Sequence, residues 1–175
     1  QMIPCMRRSG IDYRGYPMRN VIRAAVVVFA MACAAPVSAK PLLDALVAYY
    51  NGDYVTALRL WRPLAEQGDT DAQFSLAQMY YKGQGVPQDY NEALKLYRKA
   101  AEQGNAEALY TLGLMYDDGQ GVPQDYVEAH RWFNLSAAKG NTHAGKHRDM
   151  LAREMTPAQI AEAQKLAREW RPKAQ

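Results

Sequence analysis

Three histidines stand in the 175-residue chain: His130, His143 and His147. His143 and His147 are four residues apart, which on a helix places both imidazoles on one face and supplies half of a zinc site. The stretch reads His-Ala-Gly-Lys-His, with no Glu in hydrolytic spacing and with Lys146 adding positive charge, so it reads as a solvated helix face, with no metal expected. Asp117 and Asp118 are neighbours in sequence; their carboxylates diverge at a helix end and read as surface charge, unfavourably sited for the helix dipole. The segment Gly-Gln-Gly-Val-Pro-Gln at 83–88, repeated at 119–124, has the glycines of a phosphate loop. It follows a helical pattern instead of a strand and lacks the Lys-Ser/Thr that grips phosphate. Gly85 therefore reads as a residue permitting positive φ, and Val86 as an apolar plug. Both cysteines, Cys5 and Cys33, precede residue 40, leaving the body without a thiol nucleophile. No catalytic residue, metal or cofactor is expected.

The formal charge of +3 is concentrated at one end. Residues 1–39 hold five arginines and one acid, which leaves 16 basic and 17 acidic residues in 40–175. So neutral a body argues against binding nucleic acid or an anionic membrane, both of which need concentrated Lys and Arg. From Met18 the chain runs through a basic Met-Arg-Asn-Val-Ile-Arg, an apolar stretch from Ala24 to Ala35, and Pro-Val-Ser-Ala before Lys40. These are the parts of a secretory signal peptide over 18–39, with cleavage expected after Ala39 and a periplasmic or secreted product. The apolar run is too short to span a bilayer, so no stable membrane insertion is expected after cleavage. Residues 1–17 read as sequence upstream of the true start. Cys33 follows Ala-Met-Ala, without the Leu of a lipidation motif.

A fixed period organises the rest. Gly-Gln-Gly-Val-Pro-Gln-Asp-Tyr occurs at 83–90 and at 119–126, an offset of 36, and 69–104 matches 105–140 at 16 of 36 positions. The register extends through Ala57, Ala93 and Ala129, through Trp61, Tyr97 and Phe133, and through Gly68, Gly104 and Gly140. Each unit reads as two helices. Asp69, Asn105 and Asn141 are N-caps of the first helix, whose buried stripe runs Ala72, Leu76, Tyr80 and Ala108, Leu112, Tyr116. Gly83 and Gly119 end it in a left-handed cap. Asp89 and Asp125 open the second helix, with Glu92 and Glu128 placed for a capping box, and Ala93, Tyr97 and Ala101 face inward. The units are 69–104 and 105–140, flanked by a partial repeat or cap at 40–68 and a partial repeat at 141–155. A capping helix over 156–175 opens at Thr156-Pro157-Ala158-Gln159 and turns Ile160, Ala163, Leu166 or Ala167, and Trp170 to one side.

This pattern of Ala, Leu, Met-Tyr, paired Gly, Val-Pro, Asp-Tyr and aromatic positions resembles the Sel1-like repeat, a relative of the tetratricopeptide repeat, over about residues 52–147. The resemblance implies an all-α fold, a right-handed α-solenoid that binds a protein or peptide along its inner curve. The inner curve should carry the stripe opposite the core: Phe74, Gln78, Tyr81 and Lys82, then Tyr110, Leu114, Asp117 and Asp118. Phe74 and Tyr110 read as packing between repeats. Tyr81, Leu114 and Gln78, with Lys82 and Asp117 beside them, are the expected partner contacts. The function expected is that of a monomeric, non-enzymatic scaffold; the alternatives are an envelope enzyme acting on peptidoglycan and an adaptor of a polysaccharide-export assembly.

Overall fold

The computed structural model describes residues 39–173. The segment 1–17, the leader upstream of Ala39 and Cys33 lie outside the described residues. The described chain is all helical: α1 (Ala39–Tyr50), α2 (Tyr54–Glu66), α3 (Thr70–Lys82), α4 (Tyr90–Glu102), α5 (Ala106–Asp118), α6 (Tyr126–Ala138), α7 (Thr142–Leu151) and α8 (Pro157–Glu169). Each helix from α1 to α6 packs against the next, and α8 returns onto α6. Contacts confined to neighbours are the signature of a solenoid, whose stability is a sum of repeat and interface contributions.

Local chemistry sets the helix ends. The side chains of Asp69, Asn105 and Asn141 accept from the N–H of Ala72, Ala108 and Ala144 at 2.8, 2.9 and 3.0 Å. Gly83 and Gly119 close α3 and α5 at φ of 67° and 70°, each donating back to the Met four residues earlier. At the start of α4 the capping box forms only by half. Asp89 accepts from the N–H of Asn91 and Glu92, but Glu92 turns outward to Lys95 at 2.9 Å. The reason is that the Asp89 N–H already donates to the Tyr80 carbonyl at 3.0 Å, a bond that closes the connector; Asp125 does the same with Tyr116, and Glu128 pairs with Arg131. Only Thr156 and Gln159 complete the reciprocal box, with Pro157 behind them.

The core is built by alternating small and large side chains. Ala57, Trp61 and Ala65 on α2, and Ala93, Tyr97 and Ala101 on α4, are buried against the first helices. On α6, Ala129 and Phe133 continue the row. Gly113 on α5 shows how tight the fit is: a Cβ there would stand 2.4 Å from the Phe133 ring, which has no exposed surface. At the far end α8 buries Ala163 and Ala167, with Ile160 and Trp170 partly covered.

The connector locks one repeat to the previous one. Gly85, at φ 72°, lies so close to Tyr54 that a Cβ would stand 2.7 Å from the Tyr54 Cβ; Gly121, at φ 73°, would meet the Tyr90 carbonyl oxygen at 2.8 Å. Val86 and Val122 are partly buried against the same core. The glycine-rich loop is thus the joint of the solenoid.

Candidate functional site on the first helices

The first helices, α1, α3, α5 and α7, carry the sequence-derived contact residues. Because only Asn51-Gly52-Asp53 joins α1 to α2, against seven residues between α3 and α4, α1 stands 32 residues before α3 in register instead of 36. Two repeated contacts fix that alignment. Tyr49 donates to Gln84 at 2.8 Å as Tyr81 donates to Gln120 at 2.5 Å, and Tyr49 meets Trp61 as Tyr81 meets Tyr97. In this register Leu46, Gln78 and Leu114 form one row, and Leu43, Ser75 and Thr111 the next. Lys40 and Asp44 take the places of Ala72 and Leu76, positions that α3 and α5 bury against the preceding unit; both polar residues are exposed.

Tyr81 differs from expectation. Its ring stands edge-on to Tyr90 and Tyr97 at 5.3 and 6.3 Å, and its hydroxyl reaches the connector of the next repeat through Gln120. Burial raises its pKa, with the Tyr90 and Asp118 charges adding to the effect. Packing therefore accounts for Tyr81, which joins repeats as Tyr49 does. Phe74 and Tyr110 also pack, against Tyr97 at 5.7 Å and Phe133 at 5.8 Å. Gln78 is half-buried, Lys82 is exposed, and Leu114 is partly covered by the cluster around Phe133.

Asp117 occupies the Tyr81 register but carries a carboxyl, and it is half-buried instead of lying on the open surface. Burial raises its pKa, Asp118 and Glu154 push in the same direction, and His147 opposes them. His147 is likewise no solvated side chain. Its Nε2 lies 3.3 Å from the Tyr110 hydroxyl, and its ring packs against Tyr110 at 5.4 Å and Phe133 at 5.6 Å. His143, one turn away, is exposed. Among the described residues no group of His, Cys, Asp or Glu is arranged to hold a metal. His130 is buried at the register of Leu58 and Leu94, and burial, with Arg148 nearby, lowers its pKa.

The feature that the sequence reading missed lies at the α1 end. Leu42, Leu43 and Leu46 of α1, Trp61 of α2, and Phe74 and Ser75 of α3 line an apolar cleft of about 380 Å³, with Asp71 on its rim. Leu43 and Leu46 remain 60% and 41% exposed. An aliphatic pair left in water beside a concave apolar surface is what a binding site presents. Reading 40–68 as a partial repeat or cap hid it, since the 36-residue register places Leu46 opposite the charged Lys82 and Asp118; the four-residue shortening of the connector was the available signal.

A family model described as the Sel1 repeat matches residues 45–69, 70–105 and 106–141, three units on the helices just described. Among solved structures, a protective antigen present in uropathogenic Escherichia coli strains and displaying an SLR fold is similar at TM-score 0.72 and 27% identity, over 84% of this chain and 32% of that chain. A Sel1 repeat protein from Oxalobacter formigenes is similar at TM-score 0.58 and 30% identity, over 75% of this chain and 58% of that one. This chain therefore spans about a third of the first protein and under two thirds of the second. No curated protein matches. With the family model covering more than half of the chain and its units coinciding with the helix pairs that build the cleft, this protein belongs to the Sel1 repeat family.

Proposed function

We propose that this protein is a monomeric, non-enzymatic scaffold of the cell envelope, periplasmic or secreted, that holds a protein or peptide partner on the face of its first helices. Sel1 repeats generally mediate protein interactions. The observation that carries the reading is the α1–α3 cleft, where the exposed Leu43 and Leu46 stand side by side against a concave wall of Leu42, Trp61 and Phe74. The envelope location rests on the basic, apolar and small-residue succession of 18–39. Among the described residues no helix is long and apolar enough to cross a membrane. The test is a crosslinked capture from an envelope fraction with the wild type, Leu46→Lys, and a Gln78→Ala/Lys82→Ala variant. A protein held by the wild type and released by Leu46→Lys supports the scaffold and names the partner, which also distinguishes a polysaccharide-export adaptor. Capture unaffected by either variant removes the first-helix face from consideration.

One observation favours the second reading, an enzyme acting on peptidoglycan: the half-buried Asp117, close enough to His147 and Glu154 to feel their charge. Turbidity of a purified peptidoglycan suspension decides it. Clearing by the wild type that Asp117→Asn abolishes would install the enzyme; no clearing leaves the scaffold.

A further inference from the structure

The apolar cleft has a polar neighbour. Gln67, Gly68, Asp69 and Thr70, with Gln103 of the next unit, line a second depression that meets the first at Asp71, which belongs to both. The carboxylates around this junction differ in commitment. Asp69 is held as the N-cap of α3, accepting from Ala72. Glu107, at the register of Asp71 one unit later, accepts from Asn141 at 3.0 Å. Asp71 is exposed in the first turn of α3 and has no ion pair or hydrogen-bond partner for its carboxylate among the described residues.

Trp61 adds a second unsatisfied group. It is buried to 2% exposure in the wall of the cleft, and its indole N–H has no acceptor among the described residues. That nitrogen has almost no accessible surface, and the Trp132 indole outside the cleft is unsatisfied in the same way, so Trp61 gives the cleft the apolar face of its ring and no hydrogen bond to an incoming chain. The combination is confined to one end of the solenoid. Between α3 and α5 the two leucines become Ser75 and Gln78, and the acid is already bound.

We propose that the α1–α3 cleft seats an aliphatic side chain of a partner peptide, with an adjacent lysine or arginine of that peptide paired to Asp71. This rests on the scaffold reading and gives the partner its chemistry. A cleft of about 380 Å³ lies at the small end of ligand sites, which run from roughly 300 to 1,000 Å³, so it accommodates one or two side chains and not a domain. A free carboxylate on its rim attracts a cation and repels acidic peptides and anionic lipid headgroups.

The experiment is selection of a random heptapeptide library displayed on phage against the immobilised full chain, followed by calorimetric titration of a synthetic peptide of the enriched sequence. Enriched sequences carry Leu, Ile, Val or Met next to Lys or Arg. Asp71→Asn weakens the synthetic peptide by roughly two- to fivefold and flattens its salt dependence, the scale of an exposed ion pair. Leu46→Lys weakens it by more than about tenfold, since it removes a buried aliphatic contact. Both side chains are on the surface, and unchanged circular-dichroism melts verify that the variants fold. Enrichment of acidic or uncharged sequences that still depend on Leu46 overturns the partner chemistry and leaves the scaffold standing. Binders indifferent to Leu46→Lys overturn the cleft as the site. No enriched sequence overturns this inference and the peptide-binding scaffold with it.

Discussion

The connector glycines separate two physical effects that usually arrive together. Gly119 and Gly121 lie two residues apart at φ of 70° and 73°, so Ala at either suffers the same left-handed strain, about 1–2 kcal/mol. A Cβ on Gly119 meets only ordinary contacts, 3.4 Å to the Gln124 N and 3.5 Å to its Cβ. A Cβ on Gly121 meets the Tyr90 carbonyl oxygen at 2.8 Å and its carbonyl carbon at 3.0 Å, backbone atoms that cannot rotate away. Relieving such overpacking costs typically about 1–3 kcal/mol more. Gly119→Ala should therefore lose about 1–2 kcal/mol and Gly121→Ala about 2–5 kcal/mol. In thermal and urea melts of the full chain the second variant should melt several degrees below the first. Because the clash lies between repeats, its urea slope should also fall as the units uncouple. Equal losses at the two glycines would refute the claim that the connector is the joint between repeats.

Three further outcomes follow from the same contacts. Tyr81→Phe keeps both ring contacts and deletes the bond to Gln120, so urea melts should show a loss of about 0.5–1.5 kcal/mol, whereas a surface tyrosine would show none. His130 is held below its ordinary pKa by burial, so the unfolded chain takes up a proton first and stability falls as pH drops below about 6.5. His130→Leu, the residue of Leu58 and Leu94, should flatten that acid limb in melts between pH 5 and pH 8, values chosen about the ordinary histidine pKa. Asp117 is displaced the other way: with its folded pKa raised, the native state holds the proton longer, and stability declines as pH rises from the ordinary carboxyl value through the raised one. Asp117→Asn should remove that decline and raise the melting temperature at neutral pH; a melt unchanged in both respects would count against burial of the carboxyl.

What the sequence disclosed and what it concealed divide along a physical line. Caps, left-handed glycines and four-residue apolar stripes are local, so Asp69, Gly83 and the Ala93-Tyr97-Ala101 face were legible from spacing alone. Side chains that bridge repeats were not. Tyr81 has the type and spacing of an exposed aromatic anchor, and only its partners 9, 16 and 39 residues away make it a joint. Asp117 sits at that same joint, but no third glycine-rich connector follows α7 to offer a glutamine; the acid is instead half-buried near His147 and Glu154.

The cleft follows the same logic at the opposite end. A repeat of fixed period predicts the same surface on every unit, so a surface peculiar to one unit comes either from a substitution within the period, as at Asp117, or from a break in it. Here the break is the short Asn51-Gly52-Asp53 turn, which sets α1 four residues out of step. In that register the pair Leu43 and Leu46 becomes Ser75 and Gln78 on α3 and Thr111 and Leu114 on α5, so α1 alone carries two leucines there, while Lys40 and Asp44 stand where the later helices carry a buried Ala and Leu. α1 is polar along the Lys40 and Asp44 side and apolar along the Leu43 and Leu46 side, so within one helix the two faces have opposite character, which neither α3 nor α5 repeats.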